Sequence, residues 1–198
     1  MDFIRQIAGH SLEYIDEDHL YLADGITVPS ITQMLHYKFP EKYRFVPDGT
    51  LQDAADKGTA VHEAIQSYCE TGEESTLREL RNFRFLMDHY RFEVLRNEVP
   101  VILFYDGKPI GAGRLDMVLR MNGEIGGADV KRTSALDKDY LFYQLNLYRI
   151  AYRQSYGEEW KFLKGIWLRE DKRKFIDLPI NEELTNQFIK EFLQNGYG

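Results

Sequence analysis

Cysteine is nearly absent. The single Cys69 excludes an internal disulfide framework, a cysteine-rich zinc site and a cysteine-ligated iron–sulfur cluster within this chain, and its place in a helical pattern reads as packing. No apolar run reaches the roughly eighteen residues that a membrane helix needs. The opening Met1-Asp-Phe-Ile-Arg is broken by charge, without a basic-plus-hydrophobic leader, which points to a cytoplasmic protein. Repeats, low-complexity tracts and linkers are also missing, so one domain over 1–198 is expected. Positive charge is in deficit: 25 Lys and Arg against 32 Asp and Glu give −7. That balance argues against a sequence-independent coat on nucleic acid, yet permits a protein that meets phosphate locally and through metal. What is present is ordinary for a soluble globular chain, with 43% apolar and 29% charged residues, and 14% aromatics argue against disorder.

The most informative stretch runs from Gly111 to Thr133 and reads as two strands joined at Asn122-Gly123. Asn-Gly is the strongest short-range signal for a type I′ hairpin, because both positions need φ > 0. That register places Met121 opposite Glu124 and, further along, Asp116 opposite Asp129. Lys131 then shares a face with Asp129, with Arg114 opposite it. The other face of the first strand carries Leu115, Met117, Leu119 and Met121, a core-facing pattern. Two carboxylates facing each other destabilise a sheet, and a divalent cation is the natural neutraliser. An isolated Asp-x-Lys is otherwise a solvated polar face. A bulge at Gly126-Gly127 would shift the pairing by one.

Along the rest of the chain, residues 11–29 read as short strands turning at Asp24-Gly25. Ser30 caps a short helix over 31–35. The segment from His36 to Phe45 mixes aromatic and basic residues and reads as amphipathic packing, ending in a turn at Pro47-Asp-Gly49. A helix follows over 51–70, with Leu51, Ala54, Ala55, Val61, Ile65 and Tyr68 near helical spacing; Gly58 inside it suggests a break or a close approach. His62 lies one turn after Gly58 on the same face. A second helix is expected from Ser75 to about Leu95, then a strand over 98–105 turning at Asp106-Gly107, with Pro100 suited to an edge or a strand start. A helix over 140–156 stops at Gly157 and puts Gln144 and Tyr148 on one face. A hairpin with the polar turn Glu170-Asp-Lys-Arg173 follows, then a helix capped by Asn181 with Leu184, Phe188, Ile189 and Phe192 on one side.

In order, the chemical pieces are Gly58-Thr-Ala-Val-His62-Glu in a helix, Glu98 before a strand, Gly113-Arg-Leu-Asp116, Asp129-Val-Lys131, and Gln144-Leu-Asn-Leu-Tyr148 in the next helix. This order resembles the PD-(D/E)XK nuclease superfamily, specifically its RecB-like exonuclease branch, over roughly residues 28–170. The resemblance implies an α/β fold with a restriction-endonuclease-like core, a mixed central sheet flanked by helices. It implies Asp116 and Asp129 as metal carboxylates, the Val130 carbonyl as a further ligand, His62 as the helical metal-binding histidine and Lys131 as the catalytic lysine. Gln144 and Tyr148 match the motif that positions the nucleic-acid strand. Glu98 takes the place of an additional acidic residue found in some relatives. The proline that precedes the first aspartate in the family is Leu115 here, and the cysteine cluster of some relatives is missing.

Oxygen ligands suit Mg²⁺ or Mn²⁺, and an imidazole tilts the preference towards Mn²⁺. Lys131 beside such a cation would orient water or stabilise the scissile phosphate, with its own pKa depressed by the metal. Arg114, Arg132 and Lys138 are candidates for flanking phosphates. The expected activity is metal-dependent hydrolysis of DNA phosphodiesters, exonucleolytic in preference to endonucleolytic, leaving 5′-phosphate ends. A structure-specific endonuclease is one alternative; a non-catalytic scaffold that binds DNA ends is the other. DNA is the expected partner, with a helicase or recombination protein as a further one.

Overall fold

Two-residue turns organise the N-terminal region. The computed structural model describes residues 2–40 and 48–195, and begins with β1 (Phe3–Ile7), β2 (His10–Ile15), β3 (Leu20–Ala23) and β4 (Ile26–Val28) in an antiparallel meander. Asp24 and Gly25 take φ of 51° and 76°, as the turn between β3 and β4 requires; Ala8 and Gly9 do the same between β1 and β2, a strand the sequence pattern does not signal. The meander buries Leu12, Tyr14, Tyr21 and Val28 in a small cluster with Ile102 and Ala112 of the larger sheet.

Ser30 opens α1 (Ile31–Lys38) with a full capping box: its side chain accepts from the Gln33 amide, and the Gln33 side chain accepts from the Ser30 amide. The expected segment from Glu41 to Phe45 and Pro47 lie outside the described residues. Asp48 and Gly49, expected in a turn, belong instead to α2 (Asp48–Thr71), which runs unbroken through Gly58, where an added Cβ would meet nothing within 4 Å. Val61 and Ile65 are buried on it, whereas Ala54 and Ala55 are exposed; the Leu51 side chain lies outside the described residues. No helix among the described residues is long and apolar enough to cross a membrane.

The second expected helix is shorter than its apolar spacing suggests. α3 (Arg78–Tyr90) ends at Arg91, φ 52°, and the chain turns directly into β5 (Phe92–Tyr105). Phe92 and Val94, which continue a helical period, pair instead with Met121 and Leu119 of β6 (Lys108–Met121), and this non-local pairing overrides local spacing. β7 (Glu124–Lys131) returns antiparallel with Met121 opposite Glu124 and Met117 opposite Ala128, without a bulge. Asn122 and Gly123 take φ of 54° and 84°. Gly126 and Gly127 are glycines for space: a Cβ on either would collide with the rings of Phe162 and Trp160.

From β7 the chain crosses through α4 (Lys138–Tyr156), capped by Asp137 and ended by Gly157 at φ 72°, to a parallel neighbour, β8 (Phe162–Arg169). β9 (Lys172–Leu178) turns back antiparallel, and α5 (Glu182–Asn195) closes the described chain. The five-stranded sheet therefore has the order β5-β6-β7-β8-β9 and is mixed, with Pro100 on its edge strand. The fold is α/β, with two sheets and, among the described residues, five helices. α1, α4 and α5 build one core with the larger sheet, while α2 and α3 build another. Phe188, Ile189 and Phe192 face inward as expected; Leu184, 37% exposed, does not, and Thr185 takes the buried place.

One irregularity positions the chemistry. Leu115 packs in the α4 core and Met117 in the α2–α3 core, although strict alternation would send both to one side. Glu98, opposite the intervening Asp116, sits at φ 47°. The paired strands exchange faces there, so the apolar row from Leu115 to Met121 is split between two cores.

Candidate metal centre

The site forms where β6 and β7 part. Their ladder ends at Met117 and Ala128, and beyond it the Asp116 carboxylate substitutes for the missing main-chain partner: its Oδ2 accepts from the Val130 amide at 2.7 Å. α2 brings His62 to the opening. Its Nε2 lies 3.2 Å from the Val130 oxygen, and because a carbonyl can only accept, Nε2 carries the proton there. Nδ1 then faces Glu98 Oε1 at 3.8 Å and Asp116 Oδ2 at 3.7 Å.

Glu98 reaches the group through a left-handed backbone, a strained conformation for a residue with a Cβ, of the kind that concentrates at functional sites. Arg114 Nε holds its other oxygen at 2.7 Å. One donor atom from each of His62, Glu98 and Asp116 lies within 4.8 Å of the others, in a set of chemistry fit for a divalent cation. Asp129 enters from β7 as a buried carboxylate, 1% exposed. Its Oδ1 has no hydrogen-bond partner among the described residues, and Lys131 Nζ stands 2.6 Å from Oδ2.

The electrostatics show what the group needs. Burial pushes His62 towards neutrality, but Asp116, Glu98 and Asp129 outweigh it and raise the imidazole to about 9. Asp129 is raised as well, first by burial and then by Asp116. Burial opposes the Lys131 ammonium, yet Asp129 and Asp116 lift its pKa above the usual lysine value. All three shifts favour an added proton, the signature of carboxylates short of positive charge. A cation would answer the same need, and the unpartnered Asp129 Oδ1 is the atom that most lacks one.

No family model and no curated protein matches this chain. Among solved structures it is similar to a crystal structure of SSO0001, at 14% identity and a TM-score of 0.46, over 84% of this chain and 75% of that one. A likeness of that depth carries no argument about function.

Of the residues singled out from sequence, the structure gathers His62, Glu98, Asp116, Asp129 and Lys131. Glu98, matched there to an acidic residue of only some relatives, is one of the three donors that converge. The Val130 oxygen orients the histidine ring through one lone pair, leaving the other for a cation. Tyr148, buried and with its pKa raised well above the usual value by burial, donates its hydroxyl to the Arg114 oxygen at 3.1 Å and so braces the strand two residues before Asp116. Gly113 makes this possible, since a Cβ there would stand 2.9 Å from the Tyr148 ring. Gln144 is buried one turn earlier, and its Oε1 has no hydrogen-bond partner among the described residues.

Arg132 is not part of the group. Alternation turns it to the opposite face of the sheet from Lys131, where its Nε donates to Glu79 Oε1 at 2.7 Å. Lys138 is exposed in the first turn of α4. Sequence reasoning missed Tyr140, buried one helical turn before Gln144 and close enough to Lys131 to raise its pKa slightly. The signal was available: the four-residue spacing of Gln144 and Tyr148 extends one step back.

Proposed function

We propose that the chain is a divalent-metal-dependent deoxyribonuclease with a restriction-endonuclease-like core, of the RecB-like branch of the PD-(D/E)XK superfamily, acting as an exonuclease. The observation that carries this reading is the convergence of His62, Glu98 and Asp116 donors within 4.8 Å, with Lys131 on the buried Asp129 alongside. The mixed sheet with helices on both faces is compatible with it.

His62 Nδ1, Glu98, Asp116 and Asp129 would hold Mg²⁺ or Mn²⁺. When bound, the ion supplies Lewis-acid stabilisation of negative charge at a phosphate and makes water more acidic. Lys131, held on Asp129 beside that position, would offer its Nζ to a phosphate oxygen or to the attacking water. Val130 holds two of these groups through its backbone: its carbonyl accepts from His62 Nε2 and its amide donates to Asp116 Oδ2. Tyr148 holds β6 in place through the Arg114 oxygen.

The test is degradation of end-labelled linear and closed circular DNA, single- and double-stranded, with Mg²⁺, Mn²⁺ or EDTA, beside Asp116→Ala and Lys131→Ala. Metal-dependent loss of linear DNA alone, abolished by both substitutions, is expected. Nicking of circles would replace the exonuclease with an endonuclease. DNA binding without cleavage under any metal would refute catalysis in favour of a scaffold.

A further inference from the structure

Positive charge, scarce in the chain as a whole, is concentrated in one hairpin. Between 161 and 174 there are six basic residues, Lys161, Lys164, Arg169, Lys172, Arg173 and Lys174, against two acidic ones, in a chain of net charge −7. The register sorts them by face. Trp167 pairs with Lys174 and Arg169 with Lys172, so these four share one face of the hairpin, while Lys164 and Arg173 lie on the other. Lys164 is taken up by Asp177, and Arg173 by Asn82 and the Phe85 ring.

The face that carries Trp167 is also the face of the proposed catalytic residues. Lys131 is the parallel partner of Trp167, and Asp129 that of Gly165, whose added Cβ would run into Leu141 of α4. Val130 and Ile166, their alternating neighbours, both point into the opposite core. A row therefore leads from Lys131 across one strand to Trp167 and across a second to Lys174, with Lys172 and Arg169 beside it. At about 4.8 Å per strand the row spans about 10 Å.

Trp167 is held rigidly for such a task. Its indole N–H donates to the Thr133 oxygen at 2.8 Å, while its ring stays half-exposed with Lys172 and Lys174 Nζ at 5.1 and 5.5 Å from its centre. Both lysines are exposed, and among the described residues neither pairs with a carboxylate. An aromatic face flanked by uncompensated cations is the arrangement that holds a single nucleic-acid strand, stacking a base and meeting its phosphates.

We infer that Trp167, Lys172, Lys174 and Arg169 form a binding strip for a single nucleic-acid strand, continuous with the metal centre and reaching about 10 Å from Lys131. The inference rests on the nuclease reading for its choice of ligand. The strip binds without base readout, so it contributes affinity and register along the strand.

The probe is an oligothymidylate of about twelve nucleotides, titrated into the whole chain in EDTA while tryptophan fluorescence is read. Trp160 is 1% exposed and silent to a stacking base, so quenching reports Trp167. Quenching is expected in wild type and absent in Trp167→Phe, which keeps an aromatic ring in the fold. The exposed double variant Lys172→Gln, Lys174→Gln should bind about ten-fold more weakly near 0.1 M salt, with the log–log salt slope smaller by about 1.4. Unchanged oligonucleotide affinity and slope in the double variant, while wild type still degrades DNA, would overturn the strip and leave the nuclease standing. Absence of both binding and cleavage in wild type would overturn both.

Discussion

Arg132→Ala should unfold the protein well before it harms any phosphate contact. The guanidinium donates to Glu79 Oε1 at 2.7 Å, and Glu79 is 2% exposed on α3. Truncation leaves a buried carboxylate without its counter-charge, a loss of about 3–5 kcal/mol in comparable pairs. Glu170, 3.6 Å from the other end of the guanidinium, is 64% exposed and contributes little to the balance. For a chain of this size each kcal/mol moves Tm by about 2–4 °C, so a fall of about 6–20 °C is expected by calorimetry. The double variant Arg132→Met, Glu79→Leu should regain most of it, since no buried charge is then left unpaired. Oligonucleotide affinity measured well below either midpoint should stay that of wild type. An Arg132→Ala protein that melts with wild type but loses affinity would refute the reasoning, because the guanidinium would then be serving phosphate and not Glu79.

The remaining predictions concern the centre and its support. A divalent ion at 100 times its Kd should raise unfolding free energy by about 2.7 kcal/mol, and Asp116→Asn should abolish the shift in thermal melts. In EDTA, His62 is raised from 6.5 to about 9 in the folded state, so its contribution is full below pH 6.5 and is lost as pH rises through about 9. Denaturation midpoints should therefore decline across that window, and His62→Asn should flatten the decline; an unchanged slope would rule out the histidine as its source. Gly127→Ala, whose Cβ would collide with the Trp160 ring, should cost about 1–3 kcal/mol in urea denaturation.

Local chemistry was sufficient for much of this architecture. Asn122-Gly123 can close a two-residue turn in only a few ways, so the register from Met121 opposite Glu124 to Met117 opposite Ala128 followed from the turn residues, as did the cap of α1 at Ser30 and the end of α4 at Gly157. Errors fell where a distant partner decided. The stretch Phe92 to Leu95 is expected to continue the helix, yet it is strand because β6 offers Met121 and Leu119 as partners. Leu184 fits the stripe of α5 but stays in solvent, since the α4 face is filled by Phe188, Ile189 and Phe192.

The sequence by itself determined the two-residue turns, the helix caps and the alternation along β7 that puts Asp129 and Lys131 on one face, because these are properties of a few consecutive residues. Tertiary structure alone decided that Glu98 takes a left-handed backbone to join His62 and Asp116, and that Arg132, adjacent to Lys131, serves Glu79 instead. It also decided that the β8–β9 hairpin continues the face of Lys131. Each of these depends on which element stands across a gap, a matter of packing between segments tens of residues apart. Local pattern has no access to it.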